Sequence, residues 1–105
     1  MSEANRLEML AQFLEQNPND AFARYGLAME YSKLGQTEAA LEHFSRLLQA
    51  NPDYTNAYFM AAQTLAKAER NDEAKAMLRK GIACAERTGN RHALNEMSAM
   101  LDEIS

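Results

Sequence analysis

Apolar residues recur along the chain at three- and four-residue spacing and nowhere alternate convincingly, which predicts helices throughout and no strand. Leu7, Leu10, Phe13 and Leu14 form the first stripe, and Asn17-Pro18 ends it, because the residue before a proline is pushed out of helical geometry. A second helix is expected over 20–34, dense in Ala, Leu, Met and aromatic residues. Gly35-Gln36-Thr37 interrupts it, with Gly35 suited to a left-handed helix end and Thr37 to an N-cap. Leu41, Phe44, Leu47 and Leu48 mark a third helix over 38–50, closed by Asn51-Pro52. Two more are expected near 54–68 and 72–87. After Thr88-Gly89-Asn90 a last helix runs over 91–103, with Leu94, Met97, Leu101 and Ile104 as its stripe and Asn95, Glu96, Ser98, Asp102 and Glu103 toward solvent.

The pattern repeats. Asn17-Pro18 recurs 34 residues later as Asn51-Pro52, and the same shift pairs Ala23 with Ala57, Ala28 with Ala62 and Ala40 with Ala74. Large residues fall on large ones: Tyr25 on Phe59, Phe44 on Leu78, Leu48 on Ile82. Small residues at fixed places let helices approach closely, so the repetition is packing information. The stripe of the first helix sits in the register of 41–48, which makes it a lone second-type helix. The expected division is a half-repeat over 1–18, full repeats over 19–52 and 53–88, and a capping helix over 89–105, all one domain.

A 34-residue, two-helix unit resembles the tetratricopeptide repeat (TPR), whose pattern is W-x2-L-G-x2-Y, then A-x3-F, then P. In the first repeat the leucine, small and tyrosine slots hold Leu27, Ala28 and Tyr31, and the later slots hold Ala40, Phe44 and Pro52. The tryptophan slot holds Arg24. In the second repeat the slots are Tyr58, Ala61, Ala62, Leu65, Ala74 and Leu78, with Glu86 in place of proline, so that helix runs on toward Arg87. Glu69 stands where the first repeat has Gly35. The resemblance implies an all-α, right-handed superhelix of about six antiparallel helices, with a concave face that often binds peptides.

Composition fits a folded domain. Of 105 residues 47% are hydrophobic and 25% charged, which argues against a disordered tail. No apolar run approaches the roughly 20 residues that span a bilayer. Met1 to Arg6 lacks the basic-then-apolar order of a secretory leader. With a single cysteine, Cys84, the expected compartment is the cytoplasm. The net charge of −4 argues against a role in neutralising nucleic-acid phosphates. Residues 67–91 carry seven bases and four acids, read as a solvated helix surface.

Catalytic constellations are missing. Neither glycine-rich phosphate loop occurs, His43 and His92 have no second ligand at metal spacing, and both histidines read as surface or structural residues. Cys84 lies among Ile82, Ala83 and Ala85, which suits an inert small apolar residue. No catalysis, metal or cofactor is expected.

The helix over 20–34 carries more apolar residues than one core stripe uses. Leu27, Ala28, Tyr31, Ala61, Ala62 and Leu65 are assigned to the core. By the resemblance, Phe22, Tyr25, Met29 and Lys33, with Ser32 between, face the groove. Their counterparts are Asn56, Phe59, Gln63 and Lys67, with Ala66. Aromatic and Met surface with two lysines at one rim suits a peptide or helix of another protein, in an adaptor, assembly or chaperone-like role. Some TPR domains grip a C-terminal carboxylate through Lys, Asn and Arg; here those places hold Tyr25, Met29 and Met60, so that clamp is not supported. The alternative is a homodimer formed through the groove or through Met97, Met100 and Ile104 of the last helix.

Overall fold

The computed structural model describes residues 3–105, with side chains from Arg6 onward. Met1 and Ser2, part of the segment read above as lacking the order of a secretory leader, lie outside the described residues. The described residues form six α-helices: α1 (Glu3–Gln16), α2 (Ala21–Lys33), α3 (Thr37–Ala50), α4 (Thr55–Lys67), α5 (Asn71–Thr88) and α6 (Arg91–Ile104).

Their ends follow from local chemistry. Asp20 Oδ1 accepts from the Ala23 amide at 2.8 Å and Asn90 Oδ1 from the Ala93 amide at 3.1 Å, capping α2 and α6. Asn17 and Asn51 each turn back to a carbonyl of the helix they end. Gly35 closes α2 at φ 78° and Gly89 closes α5 at φ 71°, the left-handed geometry that glycine adopts without steric cost. Glu69 takes the same conformation at φ 62°, which costs roughly 1–2 kcal/mol in a residue with a Cβ. One expectation is corrected: Thr37 is the first residue of α3, and the residue before it, Gln36, makes no side-chain cap.

The helices stack as two rows. Each packs on the next in sequence; in addition α2 touches α4, and α4 touches α6. No close backbone approach joins α1 to α3 or α3 to α5 among the described residues. A row that touches, backed by a row that splays, curves toward the touching side. The row α2, α4, α6 is therefore the inner, concave one.

The small residues do the close packing. Ala28, Ala40, Ala57, Ala61, Ala62 and Ala74 are fully buried, beside Phe44, Leu47, Leu78 and Met97. Met97 is thus core, and Met100 and Ile104 pack against the same cluster, so the expected dimer contact on the last helix loses its central residue. Tyr31, expected in the core, is only half-buried. The first helices start at Ala21, Thr55 and Arg91, so the last interval is two residues longer than the first. The excess is the longer α5, which has no proline at its end.

His43, read as a surface residue, is half-buried instead. Its ring stacks on Tyr31 with centroids 5.6 Å apart and planes 8° from parallel, and its Nδ1 lies 3.0 Å from Arg24 Nη1. Arg24, the departure from the tryptophan slot, also donates to the Pro18 carbonyl. Burial first, then Arg24 and Arg46, push the His43 pKa below 6.5. The unfolded chain therefore takes up this proton more readily than the folded one. Stability is full above the ordinary histidine value and falls as pH drops through the folded one. Melting temperatures between about pH 5 and 7 should fall with acid in the wild type and fall less in His43→Gln. Equal slopes would show that His43 is not the group responsible.

Candidate partner-binding groove

The expected groove residues all lie on α2 and α4, in the inner row. Phe22 and Asn56 sit in the first turns, and Lys33 and Lys67 are the last residues of the two helices. Their environments differ more than the repeat suggests. Phe22 is 79% exposed, the most exposed large apolar side chain among those described. Tyr25 is half-buried: its ring meets Phe44 edge-on at 6.3 Å and Tyr54 at 5.3 Å. Burial and the neighbouring Tyr54 raise its pKa, so it stays a neutral phenol. Met29 packs against the same first cluster, whereas Phe59 packs against the second. Tyr25 and Phe59 are thus anchored on different cores with one edge toward solvent.

The structure does bring the two lysines together. Lys33 and Lys67 line one depression of about 300 Å³ with Ser32, Thr37 and Thr64. Its floor is fixed by a hydroxyl chain. Thr64 Oγ1 donates to the Met60 carbonyl at 2.8 Å and so accepts from Ser32 Oγ at 2.7 Å, which ties α2 to α4. Asn56 is exposed at the Phe22 end and Gln63 half-buried further along α4. The arrangement offers aromatic area and an amide at one end, a second amide along α4 and ammonium groups at the other end.

Other chemistry is sparse. Cys84 is fully buried, its Sγ 3.3 Å from Thr55 Oγ1. His92 is exposed and reaches Glu96 at 3.1 Å. Among the described residues no group of three or more His, Cys, Asp or Glu could hold a metal ion, and no helix is long and apolar enough to cross a membrane.

Two features escaped the sequence reading. A cleft of about 1000 Å³ lies on the other face, between α3 and α5. Met9 and Phe13 on α1 are also about half exposed.

Paired helices in a 34-residue register, stacked in two rows, define a helical-repeat solenoid. Two tetratricopeptide repeat profiles match the chain, over residues 31–94 and 1–57, and the chain belongs to that family. A TPR repeat-containing protein of Pseudomonas aeruginosa is 26% identical over 93% of both chains. A tetratricopeptide repeat domain protein from Salinibacter ruber is 30% identical, covering 84% of this chain and 89% of that one, with a TM-score of 0.78. The fold also matches PcrH, solved in complex with the chaperone binding region of PopD. There the TM-score is 0.89 at 19% identity, over 97% of this chain and 77% of that one.

Proposed function

We propose that this protein is a non-catalytic interaction module that holds a peptide or helix of another protein against α2 and α4. The observation that carries the reading is Phe22, an aromatic ring 79% exposed on the inner row. Leaving that ring in water forgoes about 2 kcal/mol of burial, a cost a binding anchor recovers. Tyr25, Met29 and Phe59 offer apolar edges held rigid by the core beneath them, which limits the entropy lost on binding. Asn56 and Gln63 supply hydrogen bonds, and Lys33 and Lys67 supply positive charge at the far rim. That PcrH shares this fold and holds a segment of PopD supports the use of such a stack as a partner clasp. The role that fits is adaptor, assembly or chaperone-like.

Phe22 is the residue to change. Tyr25→Ala would also remove a packing partner of Phe44, and binding loss could then reflect unfolding. Phe22→Asp should melt within about 2 °C of the wild type, since exposed positions away from special features shift stability by roughly 0.5 kcal/mol or less. It should lose the proteins that the wild type captures from lysate of its own source. Identical capture by the two folded proteins would remove Phe22 from the site and the groove reading with it.

A further inference from the structure

The repeat register pairs the residues of α1 with those of α3. A shift of 34 places Arg6, Met9 and Phe13 on Ala40, His43 and Leu47. In α3 those places are covered: His43 stacks on Tyr31 of α2, and Ala40 and Leu47 are fully buried in the cluster that holds Ala28 of α2. In α1 the same places are about half exposed or more, and α1 makes its close backbone approach to α2 alone among the described helices. The last helix, α6, carries the complementary half. From Thr55 of α4 to Arg91 of α6 the offset is 36. It puts Leu94, Ser98 and Leu101 in the places of Tyr58, Ala62 and Leu65. Ala62 and Leu65 are buried, Ala62 in one cluster with Leu78 of α5, whereas Leu94, Ser98 and Leu101 are only half-buried. The α6 of one copy and the α1 of another are therefore the two halves of one repeat. Such a contact is head-to-tail, and it lets copies add end to end.

Two residues stand against that contact. The small slot where Ala40 and Ala74 are fully buried holds Arg6, whose side chain is 63% exposed. A helix crossing there would bury a guanidinium at the point of closest approach. Glu30 stands in the place of Thr64, whose hydroxyl accepts from Ser32 of the preceding helix of the inner row. The register of α6 puts Asp102 in the place of Ser32, so a stacked copy would set one carboxylate against another. Arg6 Nη1 donates to Glu30 Oε1 at 3.2 Å, and Glu30 Oε2 is buried with no hydrogen-bond partner among the described residues. A half-satisfied buried carboxylate costs stability that a threonine in its place would not, so packing alone does not explain Glu30.

We propose that Arg6 and Glu30 are a stop on self-assembly: the pair keeps the α6 of a second copy from docking on α1 and α2, and so keeps copies from growing end to end. Arg6 blocks the crossing point by bulk and charge, and Glu30 repels Asp102. Their mutual ion pair holds both in place on the open side of α1.

The test gives this end the residues of the interior. Arg6→Ala with Glu30→Thr restores the slots of Ala40 and Thr64. Arg6→Ala with Glu30→Met keeps more of the side-chain volume and uses the residue that α6 has at that place, Met100. Circular dichroism checks that each melts cooperatively, and sedimentation velocity follows its mass over a hundredfold range of concentration. The wild type should not grow past a dimer. Every folded variant should grow with concentration past twice the wild-type mass. Adding Ser98→Arg, at the small slot of the other half, should return it to the wild-type mass. A folded variant that does not grow would overturn the proposal, as would growth that Ser98→Arg leaves unchanged. Growth of the wild type past a dimer would overturn it too. Loss of cooperative melting in both variants would show that the pair only holds α1 in place, with the same consequence.

Discussion

Gly81→Val should lower stability by about 3 kcal/mol and the melting temperature by roughly 10–20 °C. Gly81 is fully inside α5, where glycine costs about 1 kcal/mol relative to alanine, so something must favour it there. A Cβ built on it would fall inside contact distance of the Met97 sulfur on α6 and 2.7 Å from Tyr58 Cβ on α4. The methionine end can swing away, but Tyr58 Cβ moves only with its helix. Two further methyl groups leave no direction free, and α4, α5 and α6 must separate. Gly81→Ala should fall between, because its gain in helix propensity offsets part of the clash. Thermal melting followed by circular dichroism reads both. A valine variant that melts with the wild type would mean that the three helices do not meet as closely as described.

Gly81 also shows where sequence reading stops. The shift of 34 pairs it with Leu47, and nothing in a pairing of glycine with leucine says which is the closer contact. The close approach depends on Met97, whose helix enters two residues later than the repeat predicts. By contrast, Ala28 with Ala62 and Ala40 with Ala74 were legible as paired contacts, because a small residue conserved between two repeats of one chain has one plain physical reading. All four are fully buried. One left-handed end was legible too, announced by Gly35; at the matching place of the second repeat Glu69 takes the same conformation against its own preference, which the sequence reading did not expect.

The candidate site was legible in outline only. A surplus of aromatic and Met residues on α2 pointed to a second face, and Phe22 is indeed left in water. Tyr25 and Phe59 were read with it, yet each spends much of its ring on the core. A helix between two neighbours buries more than one stripe, and its own sequence does not show how much. His43 was misread for the same reason. It lies beside charged residues in sequence, but its ring is turned onto Tyr31 of another helix. The cleft between α3 and α5 could not be found from either repeat alone. It appears when Tyr31 and His43 are compared with Leu65 and Met77 after the gap between the helices is known.

Phe44→Ala should be the other severe change, costing about 3–5 kcal/mol. Phe44 is 1% exposed, among the largest fully buried side chains described. Its ring supports Tyr25 edge-on from below and at the same time floors the cleft on the opposite face. Removing it leaves a void between α2, α3 and α4 that the helices cannot close, because Ala40, Ala57 and Ala61 already bring them to near contact. A domain of this size holds on the order of 5–15 kcal/mol in total, so the loss is a large share of it. Phe44→Leu keeps most of the volume and should cost about 1 kcal/mol. Urea unfolding separates the two, the alanine midpoint falling several times further than the leucine midpoint. The leucine variant also has a consequence for binding. With Tyr25 less firmly held, any partner bound as proposed on the inner face should bind more weakly, whereas Phe22 keeps its exposure. Equal midpoints for alanine and leucine would show that Phe44 is not the keystone between the two faces.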